Sequence, residues 1–255
     1  EITFTATPNL GYKFVGWYSD DACTRSLSTD NPYTFSVTEE KTVYAKFELM
    51  DIKINSDVDG VWPTPWSQYI MDHDPGSPAV YTKSTTLTTR VTEQGQAPFN
   101  SGYHFNFLDS NGELLYNYNG VQTPPTYSGS SIDGVRKTDD GNPTIQFGLT
   151  RKSDVTITLT LQEAAQPTVV IAADPYYTVS TATGGSGAAG ITISPTSVVA
   201  RSGANSAEIK ATIDPGYTFV NWTAGNTITI TSPNATTTTV RATGEGTLTA
   251  NATAN

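Results

Sequence analysis

Apolar and polar residues alternate along short runs of this chain, and no long segment carries apolar residues at helical spacing. ITFTAT from Ile2, KTVYAKF from Lys41, DVTITLTL from Asp154 and ITISPTSVVA from Ile191 each read as a strand that turns one face to a core. Abundant Thr and Val favour strands, and 21 Gly with 15 Pro punctuate them into turns. The pattern predicts a mainly β protein.

One strand phrase is written twice. GYKFVGW (Gly11 to Trp17) returns as GYTFVNW (Gly216 to Trp222), and the same offset pairs FTATPNL with IKATIDP and TVYA with TLTA. Residue n of the first copy thus answers residue n + 205 of the last, the mark of repeated structural units. A weaker echo, GYHFNFL, runs from Gly102 to Leu108, with DIKINSDVDG before it as an opening strand and SDVTITLTLQE after it as a closing one. The last copy has its own opening, YYTVSTATGGSGAAGITISPTS, in which the glycines read as a turn. The first copy lacks that opening, as would a piece taken from partway through a repeat. In a regular strand Tyr12 and Phe14 share a face while Trp17 points away. A bulge at Gly16 would return Trp17 to the core, and its counterpart Asn221 also tolerates left-handed backbone. Tyr12, Phe14, Trp17, Tyr217, Phe219 and Trp222 are the expected repeat core. Tyr103, Phe105 and Phe107 alternate cleanly, so no bulge is expected there.

ITFTATPNLGYKFVGWYSDDACT, with NPYTF and KTVYAKFE after it, resembles the Listeria–Bacteroides repeat, also called the internalin B-type repeat. Residues 168 to 255 resemble a divergent form of it, with TANA in place of YAKF. The middle is a looser match, with long insertions and no Trp at the expected place. The resemblance implies small β-grasp-like (ubiquitin-like) units strung in tandem on extracellular bacterial proteins, as stalks or spacers that sometimes bind.

Three units are expected in an extended row: residues 1–50, a middle unit 51–166 with long insertions, and 167–255. QEAAQPT reads as a short linker between the last two. The middle insertion GVWPTPWSQYIMDHDPGSPAVY is long enough to carry function. Trp62, Trp66 and Tyr69 with Asp72 and Asp74 form either a carbohydrate platform, rings stacking on sugar faces and carboxylates accepting hydroxyls, or a Pro-rich loop capping an open end of the sheet.

Charge and cysteine narrow the rest. A net charge of −10 opposes phosphate backbones, so no nucleic-acid partner is expected. Cys23 stands alone, which excludes an intrachain disulfide and a cysteine zinc cluster, and reads as a free, half-buried thiol. No apolar run is long enough to span a membrane as a helix, and no signal peptide is recognisable. SDVDG and LDSNGE read as turns rather than calcium loops. His73 and His104 suggest no metal site, and no hydrolase motif occurs. Lys46 and Lys210 lie on expected strands without an identifiable isopeptide partner. The expectation is a noncatalytic, cofactor-free, monomeric piece of a cell-surface or secreted bacterial protein, serving as a stalk or adhesive module toward an unidentified protein or glycan. The alternative is a carbohydrate-binding module built on Trp62, Trp66 and Tyr69.

Overall fold

The computed structural model describes residues 1–57, 66–74, 76–90, 102–138 and 144–255. Among them the chain is mainly β, with two short 3-10 turns and no α-helix. The first fifth holds β1 (Ile2–Phe4), β2 (Tyr12–Tyr18), β3 (Ser26–Ser28), β4 (Tyr33–Phe35) and β5 (Tyr44–Leu49). The middle begins with β6 (Lys53–Ser56), β7 (Ser67–Ile70), β8 (Asp72–His73), β9 (Val80–Leu87) and β10 (Tyr103–Leu108). It continues with β11 (Leu114–Tyr116), β12 (Thr126–Ser128), β13 (Ile132–Lys137), β14 (Ile145–Leu149) and β15 (Ser153–Thr160). The last part has β16 (Thr168–Gly184), β17 (Ile191–Ser194), β18 (Ser197–Arg201), β19 (Ile209–Ile213) and β20 (Tyr217–Ala224). It closes with β21 (Ile228–Ile230), β22 (Thr237–Thr238), β23 (Val240–Ala242) and β24 (Gly246–Ala254).

The middle is a sandwich. One sheet, ordered β13-β14-β10-β6-β7, faces β16, β15 and β9 across a core that includes Ile54, Tyr81, Phe105, Phe107, Phe147 and Ile157. A second core gathers around Trp222, with Val179, Ile209, Val240 and Leu248 among its members.

The two cores share β16. Its odd-numbered residues from Val169 to Val179 are buried without a break. Val169, Ile171 and Ala173 lie in the middle core, whereas Tyr177 and Val179 lie in the last. The segment expected to be a linker, QEAAQPT, is the hairpin turn that joins β15 to β16 (Thr160 opposite Thr168), so core membership changes between Ala173 and Tyr177 rather than after residue 166. Polar contacts brace this crossing. The Asp154 carboxylate accepts from Thr86 Oγ1 (2.6 Å) and Tyr176 OH (2.9 Å), and Arg201 Nη1 lies 3.4 Å from Asp154 and 3.3 Å from Asp174. Glu245 accepts from Arg151 at 2.9 Å and from the Thr178 backbone N–H at 2.7 Å.

The first part docks through its β-turn. Leu10 and Met50 pack against the middle core, and the buried Tyr81 hydroxyl donates to the Gly11 carbonyl at 3.3 Å. Burial pushes the Tyr81 phenol up to about 12, with the Asp51 charge adding to it, so it stays a donor through neutral pH.

Candidate functional site

The repeated phrase is an anchor, and its geometry is the same in both copies. Gly11 and Gly216 sit at φ +82° and +89°, the third position of a turn closed by Tyr12 N–H to Asn9 O (3.0 Å) and Tyr217 N–H to Asp214 O (3.2 Å). A turn of this kind requires positive φ, hence glycine. Gly102 of the weaker copy has φ +81°. The register of β2 on β5 shifts between Phe14 and Gly16, and that of β20 on β24 shifts between Phe219 and Asn221. Each strand therefore carries the expected bulge, with Val15 or Val220 as the extra residue. Its backbone is not left-handed at Gly16 or Asn221. What Gly16 supplies is space, because a Cβ there would come within 3.0 Å of the Ser28 carbonyl oxygen.

The bulge puts the tryptophan beside the phenylalanine two residues before the extra one's neighbour. Ring centroids are 5.3 Å apart for Phe14–Trp17 and 5.8 Å for Phe219–Trp222. Each indole N–H donates to a carbonyl thirteen residues on, Trp17 to Asp30 (2.9 Å) and Trp222 to Ala235 (2.8 Å). A buried aromatic with its polar edge satisfied is a packing device. Across Tyr103 to Phe107, β10 pairs regularly with β6 and β14, as its clean alternation predicts.

Among the described residues, Trp66 and Tyr69, two of those named for a carbohydrate platform, lie on opposite faces of one sheet. Trp62 lies outside the described residues. Tyr69 pairs with Ile54 and turns inward, where it borders a cleft of about 180 Å³ with Ile54, Ser56, Lys83, Leu87 and Val155. Lys83 Nζ sits 5.9 Å from the centre of the Tyr69 ring and donates to the Ile70 carbonyl at 3.0 Å. Trp66 is half-buried and stacks on the His104 ring, centroids 6.4 Å apart, on the other face of that sheet. Asp72 and Asp74 are exposed, and the Asp74 carboxylate accepts the Gly76 N–H of its own turn at 2.8 Å.

One cluster escaped the sequence reading, which found no partner for His104. Antiparallel pairing of β6 with β10 places Phe105 opposite Ser56, and so brings Asp57 to His104. Asp57 Oδ2 is 3.0 Å from His104 Nδ1 and 3.2 Å from Arg90 Nη1, and Asp57 Oδ1 accepts the His104 backbone N–H at 2.8 Å. The Arg90 guanidinium lies 4.1 Å from the centre of the Tyr103 ring. An Asp–His pair suits acid–base work; His104 Nε2 is buried, and among the described residues no hydroxyl or thiol bonds it. His73 Nδ1 is likewise buried and unpartnered. Among the described residues no three His, Cys, Asp or Glu side chains converge as a metal site. In LDSNGE, the Asp109 carboxylate accepts the N–H groups of Asn111 and Glu113 at 2.9 Å each, which is turn chemistry. Cys23 is a half-buried free thiol at φ +52° in the turn between β2 and β3.

Neither the curated proteins nor the solved structures yield a match to this chain. A family model does match, over residues 1–51 and 177–255, just over half of the chain, and the second match begins where core membership changes along β16. On the doubled anchor and that match together, the chain belongs to the divergent InlB B-repeat domain family.

Proposed function

We propose that the chain is a noncatalytic stalk and interaction module of a bacterial surface protein, its repeats of β-grasp-like kind standing outside the cell. The observation that carries this is β16, a 17-residue strand that leaves one core and enters the next without a joint. A shared strand resists bending between units, because a hinge would break ladder hydrogen bonds on both sides at once. The ion pairs of Arg201 and Arg151 brace the same crossing. The family's place in bacterial surface proteins supports the setting.

Spin labels at Glu163→Cys and Thr229→Cys, in a Cys23→Ser background, test it by double electron–electron resonance. A single narrow distance distribution is expected. A broad or bimodal one refutes the rigid stalk.

The Tyr69 cleft favours a second reading as a binding module. It combines an aromatic edge and apolar walls with the hydroxyls of Ser56, Ser84 and Thr85, the mix that holds a ring with polar substituents. Glycan-array binding by the intact chain that is lost in Tyr69→Ala, with folding retained by circular dichroism, would establish this role. No specific binding leaves the stalk alone.

A further inference from the structure

One strand of the middle sandwich breaks its own pattern. β9 turns its odd-numbered residues to the core, and Tyr81 and Leu87 near its two ends are buried there. Between them the same face carries Lys83 and Thr85, beside the buried Ile157 and Val155 of β15. The facing sheet changes at the same level. Ile54 pairs with Tyr69, but the next inward pair is Ser56 with Ser67. Polar residues at positions that alternation assigns to a core mark a place where packing has yielded to another demand.

The gap so left is the Tyr69 cleft, about 180 Å³ in volume. A closed apolar cavity of about 150 Å³ holds one benzene ring. The cleft therefore takes a single six-membered ring and leaves its substituents at the mouth. Ile54, Leu87 and Val155 give that ring apolar walls, and the Tyr69 side chain gives an aromatic one.

Lys83 sets the charge. No Asp or Glu lines the cleft, and among the described residues Lys83 enters no ion pair. This occurs in a chain whose acidic residues outnumber its Lys and Arg by 24 to 14. The Lys83 ammonium donates to the Ile70 carbonyl at 3.0 Å and stands 5.9 Å from the centre of the Tyr69 ring. An ammonium has three donors, so two remain for a ligand. A strap to β7 alone needs one neutral donor. A positive charge without a counter-charge, set beside an aromatic wall, suits an anion.

We propose that the Tyr69 cleft is a site for an acidic sugar: one uronic acid residue of a polysaccharide, its ring against Tyr69 and its carboxylate on Lys83. This deepens the binding-module reading of the same cleft and rests on it. The carboxylate of a uronic acid stands one bond from the ring, so a ring held against Tyr69 brings its charge within reach of Lys83. A sulfate ester is bulkier and stands one atom farther out. Thr85, exposed on the same wall, adds a hydroxyl that meets those of the sugar. Lysine acts as a compact point charge. It fixes the sign of the ligand more than its stereochemistry, so galacturonic and glucuronic residues both qualify.

The test titrates the intact, isotope-labelled chain with a galacturonic acid tetramer and a glucuronic acid tetramer, and with the methyl ester of each, which keeps the sugar and removes the charge. NMR amide shifts are expected at residues 54–56, 67–70 and 83–87. At least one acid should bind about tenfold or more tighter than its ester, and the difference should shrink at high salt. Lys83→Met, which keeps the length of the side chain, should bring the acid down to the affinity of the ester, and Lys83→Arg should restore it, with circular dichroism confirming each fold. The ester comparison needs no variant, so it decides the matter even where Lys83→Met does not fold. Equal binding of acid and ester in the cleft, or a preference that survives Lys83→Met, overturns the acidic-sugar assignment and leaves the cleft a binding site. A sulfated neutral tetramer that outbinds both acids overturns it in the same way. Absence of shifts at these residues with acids, esters and the glycans of the array overturns the assignment and the binding reading together.

Discussion

Gly11 and Gly216 occupy the same turn at nearly the same φ, yet only one of them is enclosed, and this allows a paired experiment. At Gly216 an added Cβ would meet nothing within 4 Å. Gly216→Ala should therefore cost only the left-handed backbone, about 1–2 kcal/mol for an L-residue. At Gly11 the same Cβ would fall inside the contact distance of the Pro78 carbonyl, which is backbone and cannot swing aside. Gly11→Ala must push the turn off the middle sandwich. That adds an overpacking cost of about 1–3 kcal/mol. It also weakens the Tyr81 hydroxyl bond to the Gly11 carbonyl, about 1 kcal/mol more. The two variants should then differ by about 2–4 kcal/mol. Because the units need not unfold together, the readout is hydrogen exchange by mass spectrometry, comparing opening free energies of β2 in one variant with β20 in the other. Equal losses would refute a tight contact between the Gly11 turn and Pro78. A large loss in β20 would refute the assignment of Gly216 to open space.

Three further outcomes follow from the geometry. Trp222→Phe should cost about 2–4 kcal/mol, since it leaves the Ala235 carbonyl without its donor and opens a void in a closed core, and Trp17→Phe should cost less because its surroundings are half-open; urea denaturation read by exchange separates the two. Asp57→Asn removes a buried charge from between His104 and Arg90 and should cost about 3–5 kcal/mol, measured as a fall in denaturation midpoint, with a change below about 1 kcal/mol counting against the cluster. Burial raises the Asp154 carboxyl, but the bonds from Thr86 and Tyr176 and the Arg201 charge outweigh it, so the folded pKa is lowered. A lowered acid stabilises the fold above its unfolded pKa and loses that contribution as pH falls through the folded value. Arg201→Ala should therefore cost under about 1 kcal/mol at pH 7 and nothing once Asp154 is protonated in strong acid; a cost that persists there would assign the effect to packing.

The anchor was legible because everything it needs is local. The face shared by Tyr12 and Phe14, and the extra residue that turns Trp17 back to the core, follow from two-residue periodicity within one strand. The reason for Gly16 was not legible, since the Ser28 carbonyl that crowds it belongs to another strand. Trp66 and Tyr69 illustrate the same limit. Three positions apart in an extended chain, they fall on opposite faces of one sheet, and composition alone groups them where geometry divides them.

By itself, then, the sequence determined that the chain is mainly β, that two of its parts are copies of one repeat, and where each copy plants its tryptophan. Those properties depend on residue type and on spacings of a few positions. The tertiary structure decided the rest, because strand pairing is a choice among distant partners. It joined Asp57 to His104 across 47 residues. It ran β16 through two cores where the polar composition of QEAAQPT suggested a joint. It also set β24 between β20 and β16, a pairing that no reading of β24 in isolation shows, since a strand's neighbours are set by what lies beside it.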